Sequence, residues 1–400
     1  MSSDAAAMPS GRDAHERLLL VVSAAVLLDT LFYAVITPLL PQLTHELRLS
    51  KLSAGLLTAA YPAGMLAASL PGGALAVRRG PRFTVIAGLI LLVVSTVGFG
   101  LLNSAGGLGI ARFVEGIGGA FSWSGGLAWI VNATSPARRG AVMGRALGIS
   151  IAGSLFGPAI GALASAIGRA GLFCALAAVA SLLLIPIMGL SDVREASLSE
   201  QPVSAVVRVL RRPAIARSMW LMLLPAIISG LLNVLGPLRL HSLGAGAGVI
   251  GATFLLSAAL EAAITPAAGN FSDRHGRVLP LRAGLIGVAA TIGCFTLPAN
   301  QYVLALLLIV IAAVLGVFWA PAMALVSDAA EAHGIDQGHA AALMNLAWAA
   351  GQIVGSAGAG AAGKAFGDAV PVLATTVLAL LTLAVVRGSR GTQAAPDGAG

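Results

Sequence analysis

The chain runs to 400 residues, 58% of them apolar and only 10% charged, with a formal net charge of +8. Apolar runs of about 20 residues, long enough to cross roughly 30 Å of hydrocarbon as helix, recur from end to end and leave almost nothing for a soluble domain. The basic residues are nearly all Arg, scattered over short loops without interleaved aromatics. That pattern argues against a nucleic-acid partner and makes the charge a signal of membrane topology.

Residues 1–17 form a short leader containing Arg12 and Arg17. The first span, Leu18–Pro41, is too long for a signal-peptide core and lacks a small-residue cleavage site, so it is expected to stay uncleaved. It carries Asp29 at mid-depth and Tyr33 one helical turn on. The second and third spans, Leu52–Val77 and Phe83–Asn103, are joined by a turn that includes Gly73, Arg78, Gly80 and Arg82. The fourth, Gly106–Val131, holds Arg112, then Glu115 three residues on and so on the same face, then Trp123. In the fifth, Ala141–Ala166, a stripe of Gly153, Gly157 and Gly161 permits close helix packing, and Pro158 removes one backbone hydrogen bond. Ala170–Leu190 is the sixth, closing a first bundle over 18–190.

Residues 191–217 are the longest polar stretch, with Asp192, Glu195, Glu200 and five Arg. They read as a cytoplasmic linker, most simply a basic amphipathic helix on the membrane surface. A second bundle over 218–386 follows, with spans Ser218–Leu240, Val249–Ala268, Leu279–Pro298, Tyr302–Ser327, His339–Gly363 and Ala369–Val386. These carry Asn233, Glu261, Trp319, Asn345, Trp348 and Gln352 at intramembrane positions. Between the second and third of them lies a turn with Gly269, Asp273, Arg274, Gly276 and Arg277, placed 196 residues after its counterpart in the first half. Residues 387–400 form a tail. Outside the spans, Arg48, Lys51, Arg169, Arg239 and Lys364 are the basic residues on the side opposite the leader, linker and tail, so both termini are expected in the cytoplasm. Cys174 and Cys294 lie in different spans and suggest no disulfide framework. Neither a metal-ligand cluster nor a phosphate loop or nucleophile elbow occurs in a fitting context, so no enzyme is expected.

Asp29, Arg112, Glu115 and Glu261 stand out, because each ionisable group in hydrocarbon costs several kcal/mol unless paired or wet. Asp29 and Glu261 both sit near the midplane, in opposite halves. The pair Arg112 and Glu115 reads either as a structural ion pair or as a guanidinium that holds a carboxylate ionised until a proton or cation replaces it.

Several segments carry a family resemblance. Gly73-Ala-Leu-Ala-Val-Arg-Arg-Gly-Pro-Arg82 and Gly269-Asn-Phe-Ser-Asp-Arg-His-Gly-Arg277 resemble the loop signature of the major facilitator superfamily of secondary transporters. Arg112-Phe-Val-Glu-Gly-Ile-Gly-Gly-Ala120 is similar to its fourth-span signature, and Gly153-Ser-Leu-Phe-Gly157-Pro158-Ala-Ile-Gly161 to the antiporter signature of its drug exporters. The stretch from Leu28 to Pro41 resembles the first span of vesicular amine transporters and related twelve-span drug:proton antiporters. The resemblance implies an all-α integral membrane fold of twelve transmembrane helices in two six-helix pseudo-repeat bundles. It further implies a monomer in the cell inner (plasma) membrane that exports small amphipathic, cationic or lipophilic molecules in exchange for protons, with the proton gradient as energy source and no cofactor.

In that reading Asp29, Arg112, Glu115 and Glu261 couple protons. Asp29, Glu261, Tyr33, Trp123, Asn233, Trp319, Asn345, Trp348 and Gln352 contact substrate, aromatic faces beside a carboxylate suiting a lipophilic cation. The two loop signatures and the fifth-span stripe gate the cycle. The first loop copy departs from the family pattern, with Val77 where Asp and Pro81 where Arg is expected, so the second copy is expected to carry more of the latch. On the same fold the residues also admit a proton symporter or facilitator for a sugar, organic acid or other metabolite, or a membrane sensor or scaffold without transport.

Overall fold

The computed structural model describes residues 11–134, 139–190, 210, 212–335 and 337–388. Among these the chain is helical almost throughout: α1 Gly11–Glu46, α2 Lys51–Arg79, α3 Pro81–Leu101, α4 Ala105–Asn132, α5 Arg139–Ile167, α6 Arg169–Leu182 and α7 Leu184–Gly189. After the linker follow α8 Pro213–Ser242, α9 Ala247–His275, α10 Val278–Gly293, α11 Gln301–Ala332, α12 Gln337–Phe366 and α13 Ala369–Gly388. The sixth span, expected as one helix, is broken at Leu183 into α6 and α7, so the described helices make twelve crossings in two six-helix bundles. Most of the linker over 191–217, the start of the leader and nearly all of the tail lie outside the described residues, and with them the expected surface helix.

Eight crossings are long and apolar enough to span a membrane on composition, and two shorter apolar stretches lie in α5 and α10. The remaining two, α4 and α12, carry Arg112 with Glu115 and Asn345 with Gln352. The face bearing α1's start and α13's end is called here the terminus face, and its opposite the far face. On the far face, α2, α4 and α11 begin with side-chain caps: Ser50 accepts from the Ser53 amide at 3.2 Å, Ser104 from Gly107 at 3.1 Å and Asn300 from Tyr302 at 2.8 Å.

The repeat is written into the backbone. Gly80 turns α2 into α3 at φ 96°, ψ 155°, and Gly276 turns α9 into α10 at φ 87°, ψ 154°. A side chain is strained at such angles, which accounts for a glycine at both positions. Gly73 and Gly269, expected in the turns themselves, lie instead inside α2 and α9, because both helices run on through the signature and leave only Gly80 in the first half, and Gly276 with Arg277 in the second, for the reversal.

The glycine stripes are the second repeated device. A Cβ on Gly157 would lie 2.6 Å from Ala34 Cβ and 2.7 Å from the Leu31 carbonyl, so α5 sits directly on α1. A Cβ on Gly351 would lie 2.6 Å from both Ala226 Cβ and the Leu223 carbonyl, so α12 sits in the same way on α8. Backbone contact of this closeness replaces hydrophobic burial as the adhesive between helices in lipid.

Contact between the bundles is concentrated toward the far face. There α2 meets α12 over Gly55, Ser356 and Gly360, and α9 meets α5 where Gly251 faces Pro158 and Ala162. Lys51 Nζ binds Asp368 Oδ1 at 2.5 Å, joining residues 317 positions apart. The apolar core divides accordingly. Val35, Leu39 and Leu43 of α1 belong to a cluster continuous with the second bundle, whereas Leu18, Val22 and Leu28 pack within the first bundle alone.

Candidate functional site

Asp29 is fully buried. Its two carboxylate oxygens lie 3.0 and 2.9 Å from the Tyr61 hydroxyl, and Trp123 Nε1 donates to Oδ2 at 3.1 Å. Each partner comes from a different helix: α1 brings the acid, α2 the tyrosine and α4 the tryptophan. Space for the carboxylate comes from Gly119, whose position a Cβ would share with Asp29 Oδ1 and, at 2.8 Å, with the Tyr61 hydroxyl. Gly119→Ala therefore forces carboxylate and phenol apart, and overpacking of this kind costs about 1–3 kcal/mol. We expect a fall in thermal midpoint in detergent of the size this implies. An unchanged midpoint would show that the cluster relaxes freely.

Arg112, also buried, does not reach Asp29. Its Nη1 donates to both Glu115 oxygens at 2.8 and 3.0 Å and to the Phe32 carbonyl at 2.9 Å, and Nη2 donates to the Tyr33 carbonyl at 3.1 Å. The guanidinium also stands 5.2 Å over the Tyr61 ring. Tyr61 is thus the shared element, with its ring under Arg112 and its hydroxyl on Asp29. The sequence reading missed it. A tyrosine at mid-span beside Pro62 was the available signal, but its partner lies 32 residues away on another helix.

Across the divide, Tyr33 links the bundles. Its ring lies 4.9 Å from Tyr61 and 5.6 Å from Trp348, and its hydroxyl accepts from Asn233 Nδ2 at 3.3 Å. Tyr33, Trp123, Asn233 and Trp348 are each partly exposed around the buried carboxylate. Glu261 belongs to the second bundle. It lies beside Trp319 of α11 and near the Tyr33 hydroxyl. Of the other expected substrate contacts, Asn345 stands one turn before Trp348, and Gln352 is buried with its backbone packed against Gly230 of α8.

The gating residues separate by half. In the second loop copy Arg277 pairs with Asp273, and its Nε reaches Asp328 Oδ2 of α11 at 3.3 Å; Arg274 is exposed. In the first copy Val77 and Arg78 are exposed, and Arg82 donates to the Met188 carbonyl of α7.

A family model described as Major Facilitator Superfamily matches residues 22–241 and 222–398. The chain is 32% identical over 155 residues to a probable vesicular acetylcholine transporter-B of Danio rerio, covering 36% of this chain and 31% of that protein. It is 28% identical over 175 residues to multidrug resistance protein 1 of Bacillus subtilis (strain 168), covering 41% and 45%. The matched segments thus span less than half the length of either relative. Among solved structures, a bacterial homolog to the human lysosomal transporter Spinster, inward-facing and occupied, aligns with a TM-score of 0.78 at 16% identity over 94% of this chain and 97% of that one. A D-xylose-proton symporter aligns at 0.74 and 18% identity over 93% and 97%. At those identities the two structures speak for the fold alone.

Proposed function

The chain belongs to the major facilitator superfamily and is a multi-pass membrane transporter, and from that premise we propose that it exports small lipophilic cations in exchange for protons by alternating access. One observation carries this reading. Arg112 spends its charge on Glu115, so among the described residues Asp29 keeps only the neutral donors Tyr61 and Trp123 and leaves the aromatic cluster with uncompensated negative charge. A buried carboxylate walled by Tyr33, Tyr61, Trp123 and Trp348 suits an organic cation, which gains from the charge and from the ring faces together. The two curated relatives, named for acetylcholine and multidrug transport, support a cationic cargo. The glycine stripe on α5 supports export.

In the cycle, a proton taken up from outside neutralises Asp29 or Glu261 and frees the cargo outward, and its loss inside restores the binding state. The proton gradient supplies the energy. One charge moved across 100 mV is worth about 2.3 kcal/mol. Both termini lie in the cytoplasm and the protein works as a monomer in the plasma membrane.

The test is proton movement in energised inside-out vesicles, followed with a pH-sensitive dye while tetraphenylphosphonium, sugars and organic acids are added singly. Loss of the gradient with tetraphenylphosphonium is expected. A response only to sugars or acids would replace this reading with a metabolite carrier.

The terminus-face latch is assigned to the second half, where Arg277 bridges Asp273 and Asp328. Asp273→Asn is expected to slow turnover several-fold, while Val77→Asp, which adds an acid with no built partner, changes it less. Transport rates in the same vesicles check this, and the reverse ranking would refute it.

A further inference from the structure

Helix α9 presents a polar ladder along one face, buried at Thr253 and Ser257 and half-buried at Glu261 and Thr265. Thr253, Ser257, Glu261 and Thr265 recur every fourth residue, while Ala252, Leu256 and Leu260 between them are exposed, as lipid-facing positions are. Two rungs are satisfied locally: Thr253 donates to the Val249 carbonyl and Thr265 to the Glu261 carbonyl, both at 2.7 Å. Ser257 differs. It is 8% exposed, and its hydroxyl finds no hydrogen-bond partner among the described residues. Serine in a helix ordinarily bonds back to the preceding turn, as Ser69 and Ser356 do here at 2.6 Å. A buried hydroxyl left unpaired costs about 1–3 kcal/mol, so its setting calls for an explanation other than stability.

Ser257 lies one turn from Glu261 on the side toward the far face, about 6 Å along the helix axis. A single water, or a rotamer of the longer Glu side chain, closes such a gap. Among the described residues, Trp319 of α11 and Tyr33 of α1, both uncharged, face Glu261 from other helices. Asp29, by contrast, is held on the first bundle by Tyr61 and Trp123, inside the aromatic cluster.

We propose that Ser257 is the proton-delivering residue for Glu261, which places proton uptake on the α9 ladder and cargo binding on Asp29. The hydroxyl accepts a proton on its lone pair from a hydronium ion on the far side, which is left as water, and yields its own O–H proton to a Glu261 oxygen. Serine ends unchanged, the carboxylate becomes a carboxylic acid, and one proton has moved. This rests on the antiport reading above and divides its labour between two sites.

The experiment uses the full-length protein in proteoliposomes and reads two rates: proton release driven by tetraphenylphosphonium, and exchange of labelled for unlabelled tetraphenylphosphonium, which needs no net proton transfer. Ser257→Ala removes a hydroxyl that makes no structural bond, so folding is preserved. It is expected to lower proton movement at least about tenfold, the low end of what a positioned proton-transfer group contributes, with exchange within about twofold of wild type. Ser257→Thr, which keeps the hydroxyl, restores most of the loss. Wild-type proton movement in Ser257→Ala overturns the assignment, as does equal loss of both rates. Wild-type protein that exchanges the cation yet moves no protons overturns the antiport reading, and the ladder with it.

Discussion

Asp29→Asn is expected to weaken cation binding severely while leaving the protein folded. The amide keeps the shape of the carboxylate and can still accept from Tyr61, but its Nδ2 then confronts either Trp123 Nε1, a donor only, or the phenol. Binding suffers most. Truncating one partner of a buried charge pair costs about 2–5 kcal/mol, so affinity for tetraphenylphosphonium should fall by at least about 30-fold. Equilibrium binding to detergent-purified protein, paired with a thermal midpoint, measures both halves of the expectation. Wild-type affinity in a folded variant would remove Asp29 from the cargo site. Glu261→Gln offers the contrast: on the division of labour above it retains binding and loses proton movement.

The second large effect is expected at Arg112. Arg112→Leu leaves Glu115 charged and buried without its partner and also withdraws donors from the Phe32 and Tyr33 carbonyls. Breaking a buried pair from one side costs about 3–5 kcal/mol, enough to unfold many proteins of marginal stability. Replacing both residues, Arg112→Leu with Glu115→Leu, removes both desolvation penalties and should recover much of that loss. Thermal unfolding of the two variants checks the coupling. The double variant separates stability from function: if it is stable and transports at the wild-type rate, the pair is purely structural, whereas a stable but inactive protein assigns it a part in the cycle.

Much of this architecture was legible in the sequence because hydrocarbon is an unforgiving solvent. Asp29, Arg112, Glu115 and Glu261 stood out only against apolar surroundings, and the repeat showed through glycines that no other residue replaces without strain, such as Gly80 and Gly276. What stayed hidden needs the third dimension. Tyr61 reads as one more large ring in an apolar span until α1 and α4 bring an acid and a cation to its two ends. Lys51 and Asp368 look like unrelated loop charges because 317 residues separate them. Ser257 is ordinary in composition, and only the structure shows that its hydroxyl, like those of Ser122 and Ser272, lacks the bond that Ser69 and Ser356 make.

The far-face junction of α2 and α12 is made of Gly55, Ser356 and Gly360, with Lys51 and Asp368 at its rim. Small residues bury little apolar area, so what parting the junction forfeits is the close van der Waals fit of two backbones. The rim pair is more than a third exposed on the lysine side, and such pairs contribute about 0–1 kcal/mol. A door held by fit and hardly at all by charge is indifferent to salt, and only what binds at mid-depth can loosen it.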